Sequence, residues 1–441
     1  MKKDILFLLF VLGFTLIACN PARRSTNPAR PLPGKPIPGK PAPMDTIRWT
    51  PNQTGKPPIG NAPGRHGERP APTAGETYHI AFLLPFLSNQ MIGDQVPEKS
   101  RLGLQFYAGA KIALEQLSAE EGIRLEADVW DTQANDTDFQ KLMNNSRLEK
   151  ASVFIGPVRP SHVQDFATWT KKRRKILISP ESPSADLTYQ NPDFIQINPS
   201  LRAHCAAITR YIRRTNRPDA VTLVCKQKEA DRLPYFQEAN TEIGGNTRFT
   251  ELIVPDEATN FNKVDLKKYL RAGRTTVFVL PSWANQDFVM AFLRKLKEVK
   301  GTNQVEVYGM PQWRSYDAID PEYLSSLNVH ISAASWLDPA NQEFKEFQQK
   351  FYDTTGTIPD EDGINGYDVT LFTGRMLAKY GLSFPEHLDD RSPPTLRGKL
   401  LFSKIFASGA LDDGRNAPDY WENTFVHILK YEKFGFIPAE H

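Results

Sequence analysis

The stretch "ASVFIGPVRPSHVQDF", residues 151–166, joins a short apolar run to a turn and to the start of a helix. The apolar run ends at Ile155 and is followed at once by Gly156-Pro157. Ser161 stands where it can cap a helix over residues 161–174, because serine side chains accept hydrogen bonds from free backbone N–H groups. The stretch therefore predicts a buried strand, a tight turn and a helix.

The same alternation continues on both sides of this stretch. Residues 79–86, "HIAFLLPF", are predicted as a buried strand, and residues 101–122 follow as an amphipathic helix. Apolar strands that alternate with helices predict a parallel sheet covered on both faces. Ligands bind such sheets outside the carboxyl ends of the strands. The turn after Ile155 is therefore expected at a binding edge.

The second half of the chain repeats this pattern. Residues 220–226, 275–283 and 305–313 are strands with their turns, and a helix is predicted over residues 285–299. Two further amphipathic helices are predicted over residues 343–356 and 366–381. Two α/β units of similar size predict an α/β protein with two lobes rather than one large sheet.

The first 19 residues predict export. Lys2-Lys3 precede the apolar run "ILFLLFVLGFTLIA", which is short for a membrane span and is typical of a signal peptide. "LIAC", Leu16 to Cys19, resembles the lipobox of bacterial lipoproteins. That resemblance implies cleavage before Cys19 and a lipid anchor on its sulfur. Asn20 in the next position implies an outer-membrane protein that faces the periplasm.

Residues 20–77 are predicted to be a disordered tether. Residues 20–75 hold 14 of the 35 prolines, and so dense a proline pattern predicts neither helix nor sheet. These residues carry a net charge of +7. Removing this charge and the +1 of residues 1–4 from the total of +3 leaves −5 for residues 76–441. An acidic body argues against nucleic acid as a partner.

Several segments together resemble a known family. "FYAGAKIALEQL", "VFIGPVRPS", "KILISPESPSADLT" and "FIQINPSLRAH" occur in the order found in type I periplasmic binding proteins, and they resemble most the leucine/isoleucine/valine-binding branch that serves ABC importers. The resemblance implies two Rossmann-like lobes, three crossovers and a ligand in the central cleft. It places lobe 1 at residues 78–197 plus 313–395 and lobe 2 at residues 198–312 plus 396–441.

The resemblance also suggests candidate ligand contacts. In amino-acid-binding relatives, a serine after the third strand and a threonine after the fourth hold the ligand; Pro160 and Pro183 stand at those positions here. A plain α-amino acid is therefore a poor fit. Hydroxyl groups close to the two prolines are the candidates to replace the missing contacts, and they belong to Ser161, Ser182 and Ser184. Ser161 has the alternative role of helix N-cap described above.

An acid and several tryptophans add to these candidates. Glu181 follows a predicted strand, where a carboxylate can receive an amine or can simply be a solvated turn residue. Trp283 and Trp313 stand at the ends of strands, as Trp130 and Trp336 do, where indole rings can stack on a ligand or pack at the rim of a lobe.

No catalytic or metal-binding motif is found in the sequence. H-E-x-x-H, G-x-S-x-G and C-x-x-C are absent and the eight histidines have no ligand spacing, so we expect neither enzyme activity nor a cofactor or metal. Cys205 and Cys225 are predicted at the same end of one sheet, either as a disulfide of an exported protein or as buried thiols.

The sequence thus predicts a membrane-anchored protein that binds a small solute between two lobes. By resemblance it would deliver that solute to an ABC permease. The alternative is a regulatory or scaffolding lipoprotein that interacts with cell-wall synthesis or other envelope machinery. The outer-membrane address favours the alternative, since importers lie in the inner membrane.

Overall fold

The computed structural model describes residues 45–49, 75–93, 95–133, 135–257, 261, 263–406 and 418–439. The predicted signal peptide, Cys19 and most of the predicted tether lie outside these residues. The strands in the described residues are β1 Asp45–Trp49, β2 Thr77–Leu84, β3 Arg124–Asp131, β4 Val153–Ile155, β5 Ile176–Ser179, β6 Phe194–Gln196, β7 Val221–Lys226, β8 Thr250–Val254, β9 Thr276–Val279, β10 Val305–Gly309, β11 Val329–Ala333, β12 Phe402–Ile405, β13 Tyr420–Asn423, β14 His427–Glu432 and β15 Gly435–Pro438. The α-helices there are α1 Arg101–Ala119, α2 Asp136–Met143, α3 Pro160–Arg173, α4 Leu201–Thr215, α5 Leu233–Glu242, α6 Gln286–Val299, α7 Pro321–Ser326, α8 Gln342–Thr355 and α9 Glu361–Tyr380.

The strands form two sheets, and each sheet defines a lobe. The first sheet has the order β1-β3-β2-β4-β5-β6-β13-β12, in which β1 and β12 are antiparallel to their neighbours and the other strands are parallel. The second has the order β15-β14-β11-β10-β9-β7-β8, with β14 and β15 antiparallel. Two lobes with largely parallel sheets confirm the predicted fold class.

The first sheet is covered on both faces because its central strands are apolar throughout. Val153, Phe154 and Ile155 of β4 are fully buried. Val153 and Ile155 join the apolar core beneath α1 and α9, and Phe154 joins the core beneath α2 and α3. Alternate side chains of a strand point to opposite faces, so one apolar run serves both cores.

The chain passes between the lobes three times, as predicted. It crosses after β6 through residues 197–200, after β11 through residues 334–341 and after β13 through residues 424–426. The predicted lobe boundaries are wrong at two places. β11 pairs with β10 and so belongs to the second lobe, whereas β12 and β13 join β6 in the first. Apolar periodicity identifies a strand, but only hydrogen bonding decides which sheet it enters.

The segment predicted as an unstructured tether contains a strand. β1, "DTIRW", pairs antiparallel with the edge strand β3, with Asp45 opposite Val129 and Trp49 opposite Leu125. These five residues form the longest proline-free run of β-branched and aromatic character in the segment, which explains why they pair. They cover an edge that would otherwise offer free backbone groups.

Candidate ligand-binding cleft

A cavity of about 220 Å³ lies between the two lobes. The carboxyl ends of β5, β6 and β10 and the first turns of α4 and α9 open onto it, as the fold requires of a ligand site. Its lining comprises Pro180, Glu181, Pro183, Ile197, Asn198, Pro199, His204, Trp283, Pro311, Gln312, Ala334, Ser335, Glu361, Asp362, Asn365, Asp368, Val369, Thr395, Arg397, Lys399, Leu400 and Asn423. Polar side chains predominate, which suits a hydrophilic ligand.

Glu181 lies in the wall that the first lobe contributes. It follows β5 directly after Pro180, and its backbone carbonyl accepts a hydrogen bond of 2.8 Å from the Asn198 side chain. Its carboxylate accepts a hydrogen bond from the Asn365 amide of α9. Burial raises the pKa of Glu181 to about 7, although the Asn365 hydrogen bond and the charge of Arg397 oppose this rise. The carboxyl group therefore titrates near neutral pH.

A polar network on the same wall holds Asn365 in place. Arg397 donates to the Asn365 side-chain oxygen and, through Nε, to Oδ2 of Asp368 at 3.1 Å. The backbone N–H groups of Leu396 and Arg397 also donate to the Asp368 carboxylate, at 2.8 and 3.1 Å. Asp368 is only 2% exposed, and these hydrogen bonds take the place of water at its carboxylate. Arg397 thus has its own internal counter-ion.

The second lobe contributes His204 and Trp283 to the opposite wall. His204 is 1% exposed and lies edge-on to the Trp283 ring, with 5.5 Å between ring centroids. Nδ1 of the His204 ring is buried and has no hydrogen-bond partner among the described residues. Burial lowers the pKa of His204 to about 3, so the ring is neutral at physiological pH.

Hydrogen bonds behind this wall fix Trp283. Tyr316 donates to the Trp283 carbonyl at 2.9 Å, and the Trp313 indole donates to the Ser282 carbonyl at 3.0 Å. The Ser282 hydroxyl in turn donates to the buried Glu229 at 2.8 Å. The backbone that carries Trp283 is therefore well anchored.

Of the six residues predicted as ligand contacts, two line the cleft and four do not. Glu181 and Trp283 line the cleft. Trp313 is 2% exposed and packs in the second-lobe core behind Trp283, outside the lining. Ser182 is buried and accepts a hydrogen bond of 3.3 Å from the Ser184 backbone N–H; neither serine lines the cleft.

Ser161 is exposed, lies outside the cleft lining and is not the N-cap of its helix. α3 begins one residue earlier, at Pro160, with Arg159 in the cap position and no side-chain cap. Proline is favoured in the first helical turn because its φ is already helical and it has no N–H to leave unpaired. This preference outweighs the cap that Ser161 offers.

The sequence interpretation missed His204, Asn365, Asp368 and Arg397. One signal was available for two of them, because Asn365 and Asp368 are three residues apart in the otherwise apolar "INGYDVTLF" of α9. Residues with that spacing share a helix face, so a polar pair there indicates a buried polar contact. No comparable local pattern marks His204 or Arg397.

Other features of the described residues bear on the remaining predictions. Cys205 and Cys225 are free, buried thiols, and burial raises the pKa of Cys225 to about 12. No group of three or more His, Cys, Asp or Glu in this part of the chain is placed to hold a metal ion. No helix among the same residues has the length and apolarity needed to cross a membrane.

No protein-family model and no curated protein sequence matches this chain. Solved structures do resemble it. A putative branched-chain amino acid ABC transporter from Rhodospirillum rubrum is 14% identical, with a TM-score of 0.60 over 82% of this chain and 100% of that one. A branched-chain amino acid ABC transporter periplasmic ligand-binding protein from Burkholderia xenovorans is 12% identical, with a TM-score of 0.55 over 82% and 94%. An ABC transporter substrate-binding protein from Desulfitobacterium hafniense, in complex with Leu, is 17% identical, with a TM-score of 0.51 over 82% and 100%.

Proposed function

We propose that this chain, which has the fold of type I periplasmic binding proteins, binds a small solute in the cleft between its lobes without transforming it. The observation that carries the proposal is the cleft itself, because its polar lining comes from both lobes and from the crossovers between them. Such an arrangement lets lobe closure enclose a ligand. The ABC transport proteins of the same fold support a role in delivering the solute to an importer.

A thermal-shift screen of the full chain tests this proposal. The panel would hold amino acids, short peptides, sugars, muropeptides and small amines. A ligand at 100 times its dissociation constant stabilises the folded protein by about 2.7 kcal/mol, so a true ligand raises the melting temperature clearly. The cleft variant Gln312→Ala should reduce that rise, whereas Gln304→Ala outside the cleft should not. No rise with any member of the panel would overturn the proposal.

We further propose a lipid anchor at Cys19 and an outer-membrane location facing the periplasm. The lipobox-like "LIAC" and the following Asn20 support both. Labelling of cells with a radioactive or alkyne-tagged fatty acid should mark the protein, and Cys19→Ala should abolish the label. Label retained by the Cys19→Ala variant would contradict the anchor.

A regulatory or scaffolding role in the cell envelope is the second candidate function. The proposed outer-membrane location favours it, since importers lie in the inner membrane. A structural observation favours it too: Pro183, which replaces a ligand-binding hydroxyl of the amino-acid-binding relatives, lines the cleft, while the nearby Ser182 and Ser184 do not. Crosslinking in cells followed by mass spectrometry separates the two roles. An ABC permease among the crosslinked proteins supports import, and wall-synthesis enzymes in its place support scaffolding.

A further inference from the structure

The cleft carries more negative than positive charge. Its acidic groups are Glu181, Glu361, Asp362 and Asp368, and its basic groups are Arg397 and Lys399. His204 adds no charge because burial lowers its pKa to about 3. With every carboxyl group ionised, the lining has a net charge of −2, so it attracts cations and repels anions.

The ion pairs within the cleft increase its preference for cations over anions. Arg397 is already matched by Asp368, which accepts three hydrogen bonds from Arg397 and Leu396. Lys399 is exposed at the rim. By contrast, Glu181 forms no ion pair with any described Lys or Arg, and only one of its carboxylate oxygens has a hydrogen-bond partner there, Asn365. An anionic ligand would find no buried free cation, whereas a cationic ligand finds a free carboxylate oxygen.

Two of the acids have an explanation that needs no ligand. Glu361 and Asp362 lie in the first turn of α9, where negative side chains stabilise the positive end of the helix dipole. Glu181 is different because it lies in a loop, not in the helix itself, and burial removes solvation from its carboxylate. The inference therefore rests on Glu181 and on the opposite wall.

The opposite wall supplies the second requirement of a cation site. Trp283 lines the cleft, and indole faces attract ammonium and guanidinium groups. His204 lies beside it, 99% buried, and its Nδ1 has no hydrogen-bond partner within the described residues. A buried nitrogen without a partner is costly, and one nitrogen of a neutral imidazole can accept a hydrogen bond from an N–H group of a ligand.

We propose that the cleft binds a compact organic cation with an ammonium or guanidinium group and no carboxylate, held by the Glu181 carboxylate and the Trp283 ring, with His204 as a hydrogen-bond partner. This rests on the proposed solute-binding function and names the class of solute. The cavity of about 220 Å³ is smaller than the roughly 300–1,000 Å³ of sites for drug-sized molecules, so the ligand is compact.

Calorimetric titration of the full chain tests the inference. The probes are putrescine, agmatine and choline, with leucine and glutamate as comparators. At least one cation should bind with a lower Kd than either amino acid. Glu181→Gln keeps the shape and the Asn365 contact but removes the charge, so it should weaken binding of that cation tenfold or more. Trp283→Leu should weaken it as well.

Glu298→Gln is the matched control, because Glu298 is exposed at the end of α6 and its ion pair among the described residues is with Lys295. Its Kd should stay within twofold of the parent value. The inference is overturned if leucine or glutamate binds more tightly than all three cations, or if the thermal-shift screen finds a ligand while the cations give no heat. It is also overturned if Glu181→Gln and Trp283→Leu both bind the cation as the parent does. Failure of the whole screen would instead remove the proposed function.

Discussion

Glu181 is a carboxyl group that the fold makes harder to ionise. Its pKa is about 7 in the folded protein and 4.5 in the absence of such burial. Between these values the folded state holds a proton that the unfolded state has released, so the free energy of unfolding falls as the pH rises through this interval. Below about pH 4.5 both states are protonated and the penalty disappears; above about pH 7 it is fully present.

The first prediction follows from this fall in the free energy of unfolding with rising pH. Glu181→Gln cannot ionise, so the stability of the variant relative to the parent should rise by roughly 3 kcal/mol between pH 4.5 and pH 8. Urea unfolding of both proteins at several pH values measures the difference. Glu298→Gln, which removes a carboxyl group at an exposed site, is the control for the substitution itself. A parent-to-variant difference that is constant with pH would contradict the predicted titration of Glu181.

For single residues, the sequence predicted a place in the cleft only where the position of the residue after a strand determines it. Glu181 and Trp283 follow strands, and that position alone brought them to the cleft. The partner of Glu181 is Asn365, which is 184 residues away in sequence, and no local pattern links the two. Ser161 was predicted wrongly for a local reason. Its neighbour Pro160 is favoured in the first helical turn, so the helix begins one residue earlier than predicted.

α1 and α9 lie far apart in sequence but pack closely against each other in the first lobe. Gly109 of α1 faces the Gly363 backbone, and Gly366 of α9 faces the Phe106 backbone, with no room for a Cβ at either glycine. Backbone atoms cannot swing aside as a flexible side chain can. Glycine is therefore required here by the neighbouring helix, although it costs helix stability.

The second prediction concerns this contact. Gly109→Ala gains about 1 kcal/mol of helix propensity but forces the two helices apart, at a cost of about 3 kcal/mol. The net effect should be a loss of about 2 kcal/mol in the free energy of unfolding, measured with urea. Gly435→Ala, at a site with no atom near the added Cβ, should change it by less than about 0.5 kcal/mol. Equal stability of Gly109→Ala and the parent would show that separating the helices costs no more than the gain in helix propensity.

Most elements were predictable because strands and helices here have clear apolar periods. β2, β4, β5 and α1 lie where their patterns indicated. The assignment of β11, β12 and β13 to lobes was not predictable, because the local sequence of a strand of four or five residues does not determine which sheet it joins. β1 was missed because the composition of the surrounding segment concealed a run of five residues with strand-forming character.

At the scale of the whole molecule, Asn423 ties two of the three crossovers together. Its side-chain nitrogen donates to the Ile197 carbonyl at 3.0 Å, on the first crossover. Its side-chain oxygen accepts from the backbone N–H groups of Leu401 and Phe425, at 2.9 and 3.2 Å, and Phe425 lies on the third crossover. One buried amide thus holds the strands about which the lobes would move.

The third prediction tests the hydrogen bonds that Asn423 makes to the two crossovers. Asn423→Ala leaves two N–H groups and one carbonyl without their partner, which should lower the free energy of unfolding by about 3 kcal/mol. Asn303→Ala is the control, since Asn303 makes one side-chain hydrogen bond, to the Lys300 carbonyl in a loop, and its loss should cost about 1 kcal/mol or less. Urea unfolding compares the two variants. Similar losses for both would mean that water replaces the Asn423 contacts.

β1 determines from which end of the first lobe the N-terminal chain departs. Because β1 runs antiparallel to β3, its first residue, Asp45, lies opposite Val129, near the carboxyl end of β3. β2 begins at the opposite end of the sheet, where Thr77 pairs with Arg124. With β1 docked, Asp45 lies at the carboxyl edge of the sheet, which is the edge onto which the cleft opens. In the proposed lipid-anchored protein, a pull on the anchor would then act at this edge of the sheet, and release of β1 would move the point of attachment to the opposite edge, where β2 begins.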